Sequence, residues 1–343
     1  MADERPPQAS VMQMMTAAWT AQTIASITRL DVADLVHKHG PLTARQLTAE
    51  HGVDAEPDFL QRALRACASA GIFTEDAAGR FGPTALSEVL TLGSSVSVKR
   101  FVELIGGRWW GLFGALPEAL RTGRNVTGAE AGSDSVAADP AHRKRFGEAM
   151  KSRVDSTRGV VAHCDVSHAR TIVDVGGGFG HLAIAIARAH PHVRAIVLDL
   201  PDVIAMARQE AAGEDAALLA RLAFVGGDMF VDVPEGDTYV LRAIVHDWDD
   251  ASALRVLRHC RARMAGGGRV LCVDNVLPPL GDTGCSGTKF LDMLMMVSLP
   301  GRERTEAEWR ALYDAAGLRV ASIIPLNPRS GESVIEGVAG SPC

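Results

Sequence analysis

The histidine at position 246 lies between a predicted strand and a predicted helix, where catalytic side chains are often found. The apolar run from Tyr239 to Val245 predicts a buried strand, and the chain from Asp249 onward predicts a helix. Three interpretations of His246 are open: a general base, a metal ligand beside the acids that follow it, or a polar loop residue. Asp249 or Asp250 is well placed to cap the helix, which favours a structural role for these acids over a metal site.

A glycine-rich turn, "VDVGGGFGHLAIAIA", joins another predicted strand to a helix. Such a turn lets the backbone approach a ligand closely and directs helix N–H groups toward it. A dinucleotide fingerprint starting at Gly176 would need glycine at position 181, where His181 stands. The pattern present is D-x-G-x-G-x-G, formed by Asp174, Gly176, Gly178 and Gly180, and it is typical of S-adenosylmethionine-dependent methyltransferases.

Two further acids follow the next two predicted strands. Asp199 in "VLDLP" could bind both hydroxyls of a ribose, as acids do in other doubly wound folds. Asp228 in "GGDMF" could bind an adenine amine while Met229 packs on the ring. The alternative is that both acids only cap helices from strand-end loops. Because three such acids follow successive strands, the pattern favours an adenosine ligand.

The N-terminal half carries mostly helical signals, followed by a short β-wing at "IFTEDAAGRFGPT". One helix is predicted from "MQMM" to Gly40, and two more precede the wing, which is the order of a winged-helix module. Between Pro41 and Ser87, however, four arginines face six acids, a net charge of −2. A DNA-binding module normally has a basic face, so this charge balance favours a role in protein interaction over nucleic-acid binding.

The C-terminal half alternates short β-branched runs with helical segments, the pattern of a parallel, doubly wound α/β sheet. Two final strand-like runs, "RVASIIPL" and "ESVIEGV", predict a hairpin. The predicted organisation is a helical winged-helix-like dimerisation domain at residues 10–105 and a helical linker contributing to the substrate pocket at residues 106–160. Residues 161–343 form the predicted ligand-binding α/β domain.

Composition is that of an ordinary globular protein, with 47% hydrophobic and 22% charged residues. The net charge of −6 gives no general attraction to nucleic acid or to an anionic membrane. No apolar run approaches the ~18 residues of a membrane span, and the polar start lacks the order of a signal peptide. The six cysteines form no CxxC pair, which disfavours a zinc ribbon or a disulfide framework. We expect a cytoplasmic protein.

The motifs "DVGGGFG", "LDLP", "GGDMF", "HDWDD" and "GRERTEAEW" occur in this order after a helical N-terminal domain. The set resembles the two-domain small-molecule O-methyltransferases, which include plant caffeic-acid enzymes and bacterial enzymes acting on phenazine, mitomycin or polyketide products. The resemblance runs from about Met12 to Val338. It implies an α/β fold: a Rossmann-like class I methyltransferase domain with a mostly helical N-terminal winged-helix and dimerisation domain.

The resemblance also implies site residues. It assigns S-adenosylmethionine, and its product S-adenosylhomocysteine, to the glycine turn and to Asp199, Leu200, Asp228, Met229 and Arg242. No metal is expected, since metal-dependent catechol methyltransferases are shorter and lack the N-terminal domain.

His246 corresponds to the histidine that serves in the family as the general base and takes the proton of a phenol. The two acids that flank this base correspond to Asp274 and Glu303. Plant relatives carry Glu at the position of Asp274, and Asp is one methylene shorter. We therefore expect a longer hydrogen bond to Asp274, or one through a water, and a firmer role for Glu303.

The expected substrate is a small hydroxylated aromatic molecule of bacterial secondary metabolism, in an apolar pocket with adaptable methionine walls. The predicted pocket residues are Trp109, Trp110, Phe146, Met150, Asp247, Asp292, Met293 and Met296. The apolar first helix, together with the family resemblance, predicts a homodimer.

Two alternatives stay open at this stage. The scaffold could catalyse C- or N-methylation or a non-methyl reaction, although the retained His246 favours an acidic hydroxyl. The chain could also be a winged-helix regulator that senses S-adenosylmethionine, but the segment "DFLQRALRACASAG" offers little of the basic charge that a recognition helix needs.

Overall fold

The structure is a computed structural model, and it describes residues 6–125, 140–152, 154–164, 166–284, 286–326 and 331–340. The chain divides into two compact units. The first unit contains residues 1–111 and 148–152, and the second contains residues 112–147 and 153–343. The division falls inside the predicted linker, and the three predicted domain boundaries stay predictions.

The first unit is mostly helical, with a two-stranded antiparallel wing. Its helices are α1 (Pro7–Arg29), α2 (Val32–His39), α3 (Ala44–Ala49), α4 (Pro57–Ser69), α5 (Ala85–Glu88) and α6 (Lys99–Leu104). The wing strands β1 (Thr74–Glu75) and β2 (Phe81–Gly82) follow α4, in the predicted helix–helix–wing order. Leu47, Leu64 and Phe81 are fully buried in the core that these elements share.

The single long helix predicted up to Gly40 is wrong, because the chain breaks between α1 and α2. Asp31 adopts a left-handed conformation with φ of 57°, which ends the helical hydrogen-bond pattern. The ammonium of Lys99, whose side chain is fully buried, forms ion pairs with Asp31 and Asp34. This tertiary contact comes from a residue far along the chain, so helical periodicity could not predict the break.

A π-helical turn (Ile105–Trp109) leads into α7 (Trp110–Phe113), which crosses the division between the units. The second unit is built on an eight-stranded sheet with helices. Its strands are β3 (Thr171–Val175), β4 (Arg194–Asp199), β5 (Leu222–Gly226), β6 (Gly236–Arg242), β7 (Met264–Leu277), β8 (Arg304–Thr305), β9 (Leu318–Pro325) and β10 (Glu332–Ala339). The remaining helices are α8 (Leu116–Thr122), α9 (Pro140–Lys151), α10 (Val154–His163), α11 (His181–Ala189), α12 (Pro201–Ala211), α13 (Ala216–Leu219), α14 (Asp250–Arg263), α15 (Ser286–Ser298) and α16 (Glu306–Ala315).

The strand order is β5-β4-β3-β6-β7-β10-β9, with β8 paired to β7. Strands β3 to β7 are parallel, whereas β10 runs antiparallel between β7 and β9. The predicted C-terminal hairpin is present, but it extends the parallel sheet into a mixed one. Because the carboxyl ends of parallel strands meet at one edge, Asp174, Asp199 and Arg242 come to that edge together.

The predicted strand before His246 is too long by three residues. β6 ends at Arg242, Ala243 has a φ of 53°, and Val245–Asp247 forms a 3-10 turn. Val245 is nonetheless buried. An apolar run predicts burial but does not distinguish a buried strand from a buried turn.

Candidate active site

The glycine turn follows β3 and has left-handed backbone at three glycines. The φ angles are 68° at Gly176, 58° at Gly178 and 80° at Gly180, values that L side chains rarely adopt. A Cβ at Gly176 would lie 2.4 Å from Cδ1 of Ile244, so the turn packs closely against the segment that carries His246. Apart from its neighbours in the chain, no described residue has a heavy atom within 4 Å of the Cβ position at Gly178, which leaves open space beside the backbone there.

Asp174 lies beneath this turn. Its side chain is buried, and its Oδ2 accepts a hydrogen bond of 3.2 Å from the backbone N–H of Ala183 in α11. Burial raises the pKa of Asp174 to about 6, against the opposing charge of Arg242. These contacts tie the end of β3 to the first turn of α11, so Asp174 supports the glycine turn from the protein side.

Asp199 at the end of β4 faces the same turn. Its Oδ2 accepts a hydrogen bond of 2.8 Å from Gly178 N–H, and its Oδ1 accepts one of 2.7 Å from Leu200 N–H. Burial raises the pKa of Asp199, while these two backbone hydrogen bonds lower it. Each carboxylate oxygen can accept a second hydrogen bond, so this structural role leaves capacity for a ligand hydroxyl.

The other predicted cofactor residues lie near the same strand ends. The Oδ1 of Asp228 accepts a hydrogen bond of 2.8 Å from Phe230 N–H, and Met229 is partly buried against the core. The Nη1 of Arg242 donates a hydrogen bond of 2.6 Å to Oγ1 of Thr157 in α10. Sequence reasoning did not identify Thr157, and its position before the glycine motif carries no signal.

These residues fit an adenosine cofactor by their chemistry. The open space at Gly178 gives a ligand access to the backbone, and the Asp199 carboxylate beside it suits a ribose diol. Asp174 is buried below the turn, and its predicted role in binding the cofactor stays a prediction.

His246 is buried within the 3-10 turn, and three acids surround its ring. Nδ1 lies 2.8 Å from Oε1 of Glu303 and 3.7 Å from Oδ1 of Asp274. Nε2 lies 3.4 Å from Oδ1 of Asp247. Since a carboxylate only accepts, Nδ1 donates to Glu303, which fixes the ring and its tautomer.

Burial alone lowers the pKa of His246, but the negative charges around the ring have the larger combined effect. The carboxylates of Asp274, Asp247 and Glu303, with the hydrogen bond to Glu303, raise the pKa to about 10. The imidazolium form is therefore strongly stabilised, which makes His246 a strong proton acceptor once it is neutral.

The two flanking acids differ in their distance from the ring. Glu303 hydrogen-bonds the ring, whereas the Asp274 oxygen at 3.7 Å is beyond hydrogen-bond distance from Nδ1 and acts on the ring through its charge. Both side chains are buried, so that charge is poorly screened.

Three residues that sequence reasoning did not select complete the surroundings of Glu303. Nδ2 of Asn275 lies 3.5 Å from the Glu303 Oε1, next to Asp274 in β7. Arg304 and Gly301 lie in the same "GRERT" segment as Glu303 and contact the turn of His246. Each lies next to or near a predicted residue in the sequence, and this was the signal that could have identified it. Their contacts are visible only in the folded chain.

The acids after His246 have structural roles. Asp249 caps α14, with its Oδ1 accepting a hydrogen bond of 2.7 Å from Ser252 N–H, and Asp250 forms ion pairs with Arg302 and Arg304. Among the side chains that the structure describes, no group of three or more His, Cys, Asp or Glu is arranged to hold a metal ion. That the protein needs no metal stays a prediction.

The eight residues predicted to line the substrate pocket divide between the two units. Trp109, Trp110 and Met150 belong to the first unit, where Trp109 packs edge-on against Phe101 with ring centroids 5.5 Å apart. The remaining residues belong to the second unit: Phe146, Asp247, Asp292, Met293 and Met296.

Within the second unit, two of the predicted pocket acids adjoin the histidine site. Asp247 contacts the His246 ring, and Oδ1 of Asp292 accepts a hydrogen bond of 2.9 Å from the backbone N–H of Glu303. Burial raises the pKa of Asp292. Met293 and Met296 are half-buried on the same helix, α15.

Comparison with known proteins identifies the family. The family model of the O-methyltransferase domain matches residues 113–319, and that of the O-methyltransferase dimerisation domain matches residues 12–93. The phenazine O-methyltransferase PhzM of Lysobacter antibioticus is 34% identical over 336 residues, which cover 96% of each chain. The chain belongs to the O-methyltransferase family.

Two solved structures share the fold of this O-methyltransferase. The structure of LaPhzM has a TM-score of 0.90 and 33% identity, covering 98% of this chain and 100% of that one. The O-methyltransferase NcsB1 of neocarzinostatin biosynthesis, in complex with S-adenosylmethionine and 2-hydroxy-5-methyl naphthoic acid, has a TM-score of 0.78 and 29% identity. That match covers 93% of this chain and 96% of the other.

The predicted family, α/β fold class and reaction are thereby confirmed. This O-methyltransferase uses S-adenosylmethionine and belongs with enzymes of bacterial secondary metabolism. Within the described ranges, no helix is long and apolar enough to cross a membrane. The expected cytoplasmic location and the expected absence of nucleic-acid binding stay predictions.

Proposed function

We propose that this O-methyltransferase methylates an aromatic hydroxyl of a small molecule, with His246 as the general base. The observation that carries the proposal is the orientation of the imidazole: Nδ1 is held by Glu303, which directs Nε2 to the other side of the ring. An aromatic hydroxyl is a substrate whose proton such a base can accept.

S-adenosylmethionine, when bound, supplies an electrophilic methyl group on a sulfonium. The protein must then hold the substrate oxygen in line with that methyl and remove its proton. A phenol has a pKa of about 10, so at neutral pH it is mostly protonated and a poor nucleophile. The acids around His246 raise its pKa to about 10, so the imidazole, once neutral, readily accepts the hydroxyl proton at Nε2.

With the cofactor bound, the O–H bond would break and its proton would move to Nε2 of His246 as the oxygen takes the methyl group. The S–CH₃ bond would break at the same time, and its electron pair would stay on sulfur to give S-adenosylhomocysteine. Glu303 and Asp274 then stabilise the imidazolium, as the acid of a Ser-His-Asp triad does. Asp274 acts from a longer distance, and we assign it a smaller share of this stabilisation.

The cofactor residues are proposed in two groups. Gly176, Gly178 and Gly180 give the backbone that the cofactor approaches, while Asp199 accepts hydrogen bonds from its ribose. Asp174 supports the turn from below.

The second group would enclose the rest of the cofactor. Leu200 and Met229 supply apolar contact, Asp228 binds the adenine amine, and Arg242 lies at the end of β6 beside the glycine turn. These roles rest on the geometry of the strand ends and on the motif resemblance.

The substrate class is supported by what the relatives act on. Their names specify a phenazine, 3-amino-4-hydroxybenzoate and, in the NcsB1 complex, a hydroxylated naphthoic acid. All three are flat aromatic molecules. The eight predicted pocket residues stay a prediction for this enzyme.

We also propose that the enzyme is a homodimer. The family's dimerisation domain matches residues 12–93, and α1 exposes an apolar surface. That surface is formed by Val11, Met12, Met14, Met15 and Trp19.

Light scattering tests the dimer with two variants of α1. Trp19→Glu places a charge on the apolar surface and should give a monomer. Gln13→Glu adds the same charge at an exposed polar position on the opposite face of the same helix, and should stay a dimer like the wild type. A dimeric Trp19→Glu enzyme would contradict the role of this surface, and a monomeric wild type would contradict the homodimer itself.

The reaction is tested with isotopically labelled methyl S-adenosylmethionine and a panel of phenols, quinols and hydroxynaphthoates. Each phenol is paired with its own methyl ether and with the amine that replaces the hydroxyl. We expect a mass gain of one methyl on at least one phenol and none on its ether. Methylation of amines alone would contradict the proposal and favour N-methylation. Transfer to no member of the panel would contradict the substrate class.

A further inference from the structure

We propose that Arg304 is a positioning residue that holds the His246 turn in the geometry needed for proton transfer. The inference rests on the proposed role of His246 as the base. Arg304 is completely buried, although it carries a permanent charge. A buried guanidinium must have its N–H groups satisfied, and the partners here are two backbone carbonyls at the turn and the carboxylate of Asp250.

The guanidinium joins both ends of the turn. Nη1 donates a hydrogen bond of 3.0 Å to the carbonyl of Val245, and Nη2 donates one of 2.9 Å to the carbonyl of Trp248. His246 lies between these two anchored residues. The backbone from which the imidazole projects is thus held by hydrogen bonds on either side of it.

A third partner fixes the guanidinium itself. Nε and Nη2 donate to Oδ1 of Asp250, at 2.9 and 2.8 Å, and the Arg304 charge lies 5.7 Å from the ring centre of Trp309. Asp250 is in the first turn of α14, directly after the His246 turn. The charge of Arg304 is therefore balanced locally, and its orientation is set by a helix that starts where the turn ends.

A separate observation shows how closely the two segments fit. A Cβ on Gly301 would lie 1.9 Å from the carbonyl oxygen of His246 and 2.3 Å from the carbonyl carbon of Asp247. The backbone at Gly301 is thus packed against the backbone of the turn. Only glycine allows this approach.

The segment from Gly301 to Arg304 therefore acts on His246 in two ways. Glu303 holds the imidazole by its Nδ1, while Arg304 and Gly301 hold the backbone beneath it. Ring and backbone are fixed by one short piece of chain, so a shift of the turn relative to this piece would lengthen the contact between Nδ1 and Glu303.

Arg302 provides a matched control. It also forms an ion pair with Asp250, at 3.0 Å, and it binds Glu308, but its side chain is 43% exposed. Its guanidinium donates hydrogen bonds to these two acids, whereas the carbonyls at the ends of the turn are bound by Arg304. Replacing Arg302 therefore changes an ion pair of Asp250 but leaves the hydrogen bonds from Arg304 to the carbonyls of Val245 and Trp248 in place.

The test compares Arg304→Lys with Arg302→Lys and His246→Gln, by measuring kcat as a function of pH, KM, the dissociation constant of S-adenosylmethionine and the unfolding temperature. A lysine keeps the charge but cannot reach both carbonyls and Asp250 together. We expect kcat of Arg304→Lys to fall about 10- to 100-fold, the scale of a small misplacement of a catalytic group. Cofactor affinity should stay near that of the wild type.

The pH dependence separates positioning from a merely structural role. If the ring loses its close contact with Glu303, the pKa of His246 falls from its raised value, and the rise of kcat with pH moves to lower pH. Arg302→Lys should keep the wild-type profile. An Arg304→Lys enzyme with a lower unfolding temperature and an unchanged pH profile would overturn the proposal, as would one with wild-type kcat.

Gly301→Ala is the second variant, and it decides the question if Arg304→Lys does not fold. The added methyl group displaces the His246 turn from the side of Gly301 and leaves the buried charge of Arg304 in place. We therefore expect the same shift of the kcat profile to lower pH. An unchanged profile in Gly301→Ala contradicts the proposal. If His246→Gln retains wild-type turnover, the failure lies in the proposed base and not in Arg304.

Discussion

The glycine turn and the His246 site lie at the same edge of the sheet but are built differently. The glycine turn is made mainly of backbone, with three left-handed glycines within five residues and a supporting acid two residues before them. The His246 site is made of side chains from three separate segments, with Asp274 and Glu303 lying 28 and 57 residues beyond the histidine. One is a contiguous motif, and the other exists only in the folded chain.

The difference predicts how each site fails. A backbone site depends on local φ angles, so a single added methyl group can damage it without any change in charge. A side-chain site depends on charges and distances, so isosteric changes of charge should alter its pH dependence first. Binding of the cofactor and transfer of the proton should therefore respond to different substitutions.

The largest effect is expected from His246→Gln, which keeps a polar side chain but removes the base. We expect kcat to fall by ~10²- to 10⁴-fold, the usual contribution of a general base. The dissociation constant of S-adenosylmethionine, measured by calorimetry, should change by no more than about twofold. The reason is that the substitution removes none of the groups proposed to bind the cofactor. The control is His168→Gln, because His168 is exposed. A matching loss of cofactor affinity would break the proposed independence of the two sites.

A smaller effect, on binding only, is expected from Gly178→Ala. The left-handed φ of 58° disfavours any side chain by ~1–2 kcal/mol, and the new methyl group would enter the open space beside the turn. Cofactor affinity should fall about tenfold or more. At saturating cofactor, kcat should change much less.

Gly213→Ala is the control for this substitution, because Gly213 has open space around it and is not among the left-handed glycines. If both glycine variants bind the cofactor equally well, the turn is not the cofactor site.

The subtlest effect is expected from Glu303→Gln, which removes a negative charge while keeping the shape of the side chain. In the wild type the raised pKa of His246, about 10, keeps the imidazole protonated at neutral pH, so kcat should rise as the pH increases toward 10. Loss of the Glu303 charge lowers that pKa, and the rise should move to lower pH. Maximal kcat should fall by about tenfold, as a supporting acid is lost.

The rise of kcat with pH could come from deprotonation of His246 or of the substrate hydroxyl, and two substrates with different hydroxyl pKa values distinguish these two causes. A rise that belongs to His246 stays at the same pH with both substrates. Glu306→Gln is the charge-matched control, since Glu306 is exposed and pairs with Arg310 on the surface of α16. An identical shift of the pH profile in Glu306→Gln would show that the net charge of the protein, and not the contact of Glu303 with the ring, sets the pKa of His246.

Much of the fold could be predicted because its signals are local. The strand–turn–helix around Gly176 and the Asp249 cap both appear in the structure. The errors occur where a distant contact overrides the local pattern. Buried Lys99 holds the break at Asp31, and the turn of His246 interrupts a run that is apolar because it is buried.

The sequence by itself determined the α/β class, the glycine turn, the acids at successive strand ends and the identity of the three groups proposed for proton transfer. The class, the turn and the strand-end acids follow from spacing and from backbone requirements that only glycine meets. The three groups proposed for proton transfer follow from the resemblance of their motifs to the family. Only the tertiary structure decided that Glu303 and not Asp274 hydrogen-bonds the ring, and that Arg304 and Gly301 hold the turn beneath it. Those contacts depend on the distances between segments far apart in the chain, which packing sets and residue spacing does not encode.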